Sequence, residues 1–385
     1  MRVARWRWRW RWAAVAAGTA VLCAVPGIVA ALPVPGSAIT AAALRARILD
    51  SAVVPYQGYV ESTADLGLPQ LPDLQDVSEL ADGVTEQYAW YRGPGEWRAD
   101  TVTAAGENDV YQVGPTTYLW NQSLNLLTKV VGTEPIRLPR ASDLLPPSLA
   151  RSLLGLASPE DRLTRLPARR VAGVDAAGLA LHPASAATTV GTVDIWADPR
   201  SGLPVAVRVY ARGDGKPILV SDFLQVSQRS PALTTVVPQP APGVDQTTAS
   251  LASLNHILNN GRRHPWPRQL GDQDFDPVAD GGLNAIAFYG SGFARFALVN
   301  LPDKVGRQAV AAVTSAGASA LTVTGGSEVV AVTPLLTVVL ATFDGFGGIT
   351  FLLAGTETSK ALEAAATSLL SLLASFAGHG PRRHR

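Results

Sequence analysis

Apolar and polar positions alternate with period two along much of this chain, in short runs broken by glycine and proline. The clearest run is 191–197: Val193, Ile195 and Ala197 share one face, while Thr192, Asp194 and Trp196 share the other. That period predicts a strand with one buried face. Asp198-Pro199-Arg200-Ser201-Gly202 follows as a strong turn. Val205–Tyr210 is the next strand, and Arg212-Gly213-Asp214-Gly215 turns the chain into Ile218–Val226.

Upstream, a strand is expected at Tyr56–Thr63, and 65–86 reads as a loop. Tyr88–Arg92 and Trp97–Val102 flank Gly93-Pro94-Gly95; Asp109–Val113 and Thr117–Trp120 flank Gly114-Pro115; Leu126–Val131 comes next. Turn signals roughly every 8–12 residues between β-prone runs predict an antiparallel sheet. Two segments have helical spacing instead. In 38–49, Leu44, Ile48 and Leu49 share a face; 141–157 is apolar, with Pro146-Pro147 expected to break it internally.

A second unit is expected after a Pro-rich stretch. Its strands are Leu283–Phe288, Ala294–Leu301, Ala320–Thr324, Val329–Thr342 and Ile349–Leu353, with helices over 303–313 and 360–376. The expected organisation is a signal or anchor at 1–31, a first domain at 32–230, a linker at 231–262, a small α+β domain at 263–378 and a basic tail at 379–385.

The N-terminus reads as an address. Arg and Trp alternate up to Trp12, and 13–32 are apolar apart from Thr19. A basic segment followed by an apolar one is the pattern of a secretory signal or a membrane anchor. Val29-Ala30-Ala31 offers small residues for cleavage after Ala31; uncleaved, 13–32 is long enough to span a bilayer. Either way the rest of the chain is expected outside the cytoplasmic membrane, at the extracytoplasmic face of the cell envelope, secreted or anchored through 13–32.

Composition narrows the function. Charged residues are 16% of the chain, against a usual figure of about 25%. Without Arg2, Arg5, Arg7, Arg9 and Arg11, 27 basic residues face 31 acidic ones. A slightly acidic body is not a nucleic-acid partner. The single cysteine, Cys23, lies in the apolar run, so the exported part has no disulfide framework and no thiolate metal site. The residue before it is Leu22, which does not fit a lipoprotein signal.

Catalytic and metal patterns are missing. The five histidines have no metal-ligand spacing, and there is no Gly-x-Ser-x-Gly elbow. Asp272, Asp274 and Asp276 begin like a calcium loop, but Pro277 and Leu283 stand where its Gly and Glu belong. Asp194 and Asp198 read as a solvated position and a turn initiator rather than an acid–base pair. No cofactor and no metal are expected, and the chain reads as a binding protein rather than an enzyme.

The run Val193-Asp194-Ile195-Trp196-Ala197-Asp198-Pro199-Arg200-Ser201-Gly202-Leu203-Pro204, continuing to Gly213-Asp214-Gly215-Lys216 and Phe223, resembles the LolA/RseB (MucB) group of periplasmic lipoprotein carriers and sigma-factor regulators. Tyr56-Gln57-Gly58 after a short helix fits the same order, so the resemblance covers about 38–230. More weakly, the region after 250 resembles the small C-terminal domain of RseB-like proteins, although it is apolar rather than basic. The resemblance implies an α+β fold: a curved antiparallel half-barrel sheet with covering helices, plus a smaller C-terminal α+β domain. It also implies an apolar concavity for a lipid or lipoprotein acyl chain, in a carrier or stress-sensing role. The alternative partner is an anti-sigma factor or another membrane-protein ectodomain. The ligand-cavity candidates are Trp196, Tyr210, Trp90, Trp97 and Trp120. Trp196 and Tyr210 are expected on the concavity, with 141–157 as its lid; the alternative role for the aromatics is an ordinary core.

Overall fold

The structure is a computed structural model that describes residues 34, 36–67, 79–132, 139–250, 266–277, 286–315, 317–318, 320–345 and 348–378. The expected signal or anchor at 1–31 and the basic tail lie outside the described residues.

The chain opens with helix α1 (Ala41–Asp50), capped by the Thr40 hydroxyl on the Ala43 N–H, with Leu44 and Ile48 fully buried. Six strands follow: β1 (Tyr56–Asp65), β2 (Asp82–Gly93), β3 (Glu96–Thr103), β4 (Gly106–Val113), β5 (Thr116–Asn121) and β6 (Leu126–Val131). A 3-10 turn (Ala141–Leu144) leads to α2 (Pro146–Gly155). Pro146 and Pro147 do not break this helix from within; they begin it. A proline there lacks only an N–H that the first turn leaves unbonded anyway.

Next come β7 (Arg162–Val171), β8 (Val174–His182), β9 (Val190–Ala197), β10 (Pro204–Ala211) and β11 (Pro217–Ser227). After them come a single helical turn, α3 (Leu233–Val236), and β12 (Asp245–Ser250). These twelve strands form one sheet, ordered β12-β6-β5-β4-β3-β2-β1-β11-β10-β9-β8-β7. It is curved and unclosed, and its pairs are antiparallel except β12 against β6. The first half of the expected linker therefore belongs to this sheet: α3 packs on β2, β3 and β4, and β12 extends its edge.

Helices α1 and α2 cover one face. Leu44, Ile48, Ala150 and Leu154 share a core with Leu179, Leu181, Val193, Ile195, Val207 and Val209. The apolar set of β9 read from alternation is the set that meets the helices.

The second sheet follows a two-stranded ribbon, β13 (Gln269–Leu270) with β14 (Gln273–Asp274). Its strands are β15 (Ile286–Ser291), β16 (Ala294–Leu301), β17 (Ala320–Val323), β18 (Gly326–Val332), β19 (Thr337–Phe343) and β20 (Ile349–Gly355), ordered β15-β16-β20-β19-β18-β17. Residues 329–342, expected as one run, are two strands around a turn at Thr333–Leu336, where the Thr333 hydroxyl accepts from the Leu336 N–H. Helix α4 (Asp303–Ser315) packs on one face through Val313, against Val329 and Leu340. Helix α5 (Ser359–Gly378) packs on the other, its Leu362, Ala365, Ala366, Leu369 and Leu370 against Val339, Ala341 and Phe343. Among the described residues, Ser359–Ala377 is the one helix long and apolar enough to cross a membrane.

Candidate functional site: the helix-covered face of the first sheet

One row of direct cross-strand neighbours crosses six strands. Tyr56 pairs Tyr91, Tyr91 pairs Trp97, Trp97 pairs Gln112, Gln112 pairs Thr117, and Thr117 pairs Val130. Cross-strand partners point to the same face, so the row presents a strip of side chains from β1 to β6. From Tyr91 onward it opens onto a cavity of about 510 Å³. Ser142 and Asp143 of the 3-10 turn, Arg140 and Leu145 on either side of it, and Ser148 and Arg151 of α2 close the other side. The Tyr56 and Tyr91 rings stack at 5.0 Å, and the Tyr91 hydroxyl donates to the Ala52 carbonyl at 2.6 Å. The aromatic floor is thus fixed at one end. Burial pushes the Tyr91 hydroxyl above its ordinary pKa, with Arg151 pulling the other way.

The cover is tied to the same sheet at the Leu144 carbonyl. Ser221 donates to Leu144 O at 2.5 Å, and Ser62 lies 3.0 Å from the Ser221 hydroxyl and 3.5 Å from the same carbonyl. The cavity is not purely apolar as expected. Gln112, Thr117, Ser142, Asp143, Ser148, Arg140 and Arg151 share its lining with Tyr91, Trp97, Val130 and Leu145.

Of the five aromatic candidates, Trp97 alone lines this cavity. The other four lie on the opposite face, because strand neighbours alternate and each sits at the wrong parity. Trp90 follows Ala89 and precedes Tyr91, both in the helix-side core, and so turns away from it. Its ring stacks near Tyr88 at 6.1 Å, with the Arg98 guanidinium 5.1 Å from its centroid. Trp120 borders an outer cavity of about 470 Å³ with Arg98, Asp109 and Tyr111, roofed by Val237, Pro238 and Pro240.

Trp196 and Tyr210, expected on the concavity, lie on the outer face for the same reason. Val193, Ile195 and Ala197 take the helix side, which sends Trp196 to the other. There its indole N–H donates to Pro167 O at 3.1 Å, and Arg169 and Arg208 lie 4.7 and 5.3 Å from its ring. Tyr210 is half-buried on that face and hydrogen-bonds Asp194. Burial and the Asp194 charge raise its pKa. Residues 141–157 do not cover either ring.

The Asp-Pro-Arg-Ser-Gly-Leu-Pro run proves to be a docking turn. Asp198 accepts from the Arg200 N–H at 2.9 Å, from Ser201 at 3.1 Å and from Gln228 at 2.8 Å. Burial works to raise its pKa, but these bonds hold it below the usual carboxylate value. Gly202 has φ +76°, and a β-carbon there would fall 2.1 Å from Arg47 O at the end of α1. Only glycine permits this approach.

On the outer face, Arg98 bridges two buried carboxylates, Asp100 at 2.5 Å and Asp109 at 3.0 Å. Burial lifts Asp100 to about 7 despite the Arg98 bond, and raises Asp109 as well. Glu107 completes a trio of carboxylates whose oxygens lie within 4.8 Å of one another. No motif marks this cluster in the sequence; its signal there is the alternation of Arg98, Asp100, Glu107 and Asp109 on a shared face of β3 and β4.

This architecture is a curved, unclosed sheet with a helical cover and a cavity between them, rather than a closed barrel. The chain is similar to MucB in complex with MucA(peri): 17% identity, 85% of this chain, 97% of that chain, TM-score 0.48. It is similar to the Pseudomonas aeruginosa MucA/MucB complex at 16% identity over the same shares, TM-score 0.47. A LolA superfamily protein from Nitrosomonas europaea matches 52% of this chain and 99% of its own at 14% identity, TM-score 0.24. These belong to the group that the 193–223 run resembles. No family model and no curated protein sequence matches the chain.

Proposed function

We propose that this chain is an exported binding protein of the cell envelope, with an amphipathic chain as its ligand. A lipid or lipoprotein acyl tail lies along Tyr91, Trp97 and Leu145, and its polar end meets Arg140 and Arg151. The observation that carries this reading is the row from Tyr91 to Val130, opening onto a cavity of about 510 Å³ beneath the 3-10 turn and α2. Ligand pockets run to about 300–1,000 Å³ and combine apolar walls with a few polar groups. Each buried methylene contributes about 0.8 kcal/mol, so a long tail offsets the reordering of the cover. Binding, rather than catalysis, is the role assigned.

Residues 1–31 act as signal or anchor in this reading. The unit that holds the ligand runs from 32 through β12, and 263–378 is the second unit. Native mass spectrometry of the exported chain, before and after organic extraction, tests the ligand. Empty protein whose Trp97 emission ignores added long-chain lipid would sink it.

The polar share of the lining favours a second reading. Gln112, Thr117, Ser142 and Ser148 are able to hydrogen-bond a polypeptide backbone, as an anti-sigma factor or other membrane-protein ectodomain would offer. Photo-crosslinking from position 117 in native membranes separates the two readings. A protein adduct supports this second partner, and a lipid adduct the first.

A further inference from the structure

Glu357 is fully buried, and neither of its carboxylate oxygens has a hydrogen-bond partner. A lone buried carboxylate is unfavourable when ionised, and such a group holds its proton instead. Its position gives this consequence. Glu357 forms an isolated antiparallel bridge with Thr188, so it sits in the joint between the two sheets.

That joint is narrow and made of hydrogen bonds. The Thr189 N–H donates to Thr356 O at 2.9 Å, and the Thr358 N–H to Ala187 O at 2.7 Å. The Thr188 hydroxyl donates to Phe293 O at 2.8 Å, and the Thr189 hydroxyl to Leu335 O at 2.7 Å. From the second sheet, Phe293 and Leu335 enter the core that holds Leu154 of α2, and Gly292 lies beside Leu156 O. The joint is therefore continuous with the cover of the cavity.

Among the described residues, no charged side chain bonds the Glu357 carboxyl. Arg212 donates to the Thr188 and Ser185 carbonyls, Arg295 pairs with Asp276 at 2.8 Å, and Lys360 is exposed. On β19, Thr337 bonds the Glu357 carbonyl rather than its carboxyl.

We propose that Glu357 makes the joint between the two sheets proton-sensitive: the neutral acid keeps them docked, and the ionised carboxylate releases Phe293 from the core beside α2. Burial alone raises its pKa from 4.5 to about 7. The sign follows from linkage. An opened joint lets the carboxyl ionise at its ordinary value, so docking is strongest below that value and weakens as pH rises towards 7. Above it, the loss is complete.

Backbone hydrogen exchange of the ligand-free full chain reads this directly. The Thr189 and Thr358 amides close the joint, and their opening is compared between pH 5 and pH 8 after correction for intrinsic exchange. Wild type is expected to open on the order of a hundred-fold more readily at pH 8. Glu357→Gln, which keeps the shape and cannot ionise, is expected to remove that difference. Equal protection of the wild-type joint at both pH values would overturn the proposal, whatever the variant does. So would a pH dependence that survives in Glu357→Gln. Ligand binding does not enter the measurement, so its failure is distinct from failure of the cavity reading.

Discussion

The Trp196 indole N–H reaches the Pro167 carbonyl at 3.1 Å, bonding β9 to β7 over the intervening strand β8. Gly178 of β8 makes the crossing possible. A β-carbon there would stand 2.6 Å from the Leu166 β-carbon, 2.9 Å from Trp196 Nε1 and 3.1 Å from Pro167 O. Trp196 thus clamps the sheet edge on the face away from the helices.

Gly178→Ala is expected to destabilise the first unit by about 1–3 kcal/mol, because an overpacked site must shift backbone or ring. Trp196→Phe is expected to cost about 1–3 kcal/mol, through lost ring contact and an unbonded Pro167 carbonyl. Urea denaturation measures both. Neither change should alter the affinity for a cavity ligand, and a large affinity loss in Trp196→Phe would return that residue to the binding site.

Two variants, one keeping Trp97 and the other Trp196 as the sole tryptophan of the nine, separate the faces. With Trp97 alone, emission is expected to shift to the blue when long-chain lipid is added. With Trp196 alone, it is expected to stay constant. The opposite pattern would contradict the placement of the cavity.

The cover should loosen when its tie is cut. Ser221→Ala removes the donor to Leu144 O, at a cost of about 1 kcal/mol. Hydrogen exchange in α2 is expected to quicken several-fold, while β9 and β10 keep their protection. Uniform acceleration across the unit would mean that the bond holds the whole fold rather than the cover.

Asp100 predicts a pH dependence of stability. Its folded pKa is raised to about 7 by burial, from an ordinary 3.8. Between those values the unfolded chain gives up the proton first, so this group lowers stability as pH rises, by up to about 1.4 kcal/mol per unit. Asp100→Asn is expected to flatten that slope without abolishing it, since Asp109 is raised too. Denaturation midpoints from pH 4 to pH 8 test this, and an unchanged slope would refute the assignment.

Much of the strand order was legible. The hairpins at 88–102 and 109–120 and the meander at 191–226 follow from alternation and turn residues, and all are present. β7 and β8 were not read. β7 carries Arg162, Arg165, Arg169 and Arg170 with Pro167, and β8 is Ala- and Gly-rich, so neither shows a clean period. Their strand state comes from pairing with each other and from Trp196 packed over Gly178. The candidate site was half legible: Trp97 was named, but its polar neighbours Arg140, just before the 3-10 turn, and Arg151, on α2, come from more than forty residues away.

The sequence by itself determined that β9 has an apolar set, Val193, Ile195 and Ala197, and a second set containing Trp196. Parity is a local property of an extended backbone, so no tertiary contact can put Trp196 on the face of Ile195. Only the tertiary structure decided which face the helices cover, because that depends on where α1 and α2 find apolar surface to bury. Tertiary structure also turned Pro-rich residues 237–244 into a roof over the outer face and brought Glu357 against Thr188. Those contacts join positions far apart in the chain, and their energy comes from burial that no local pattern records.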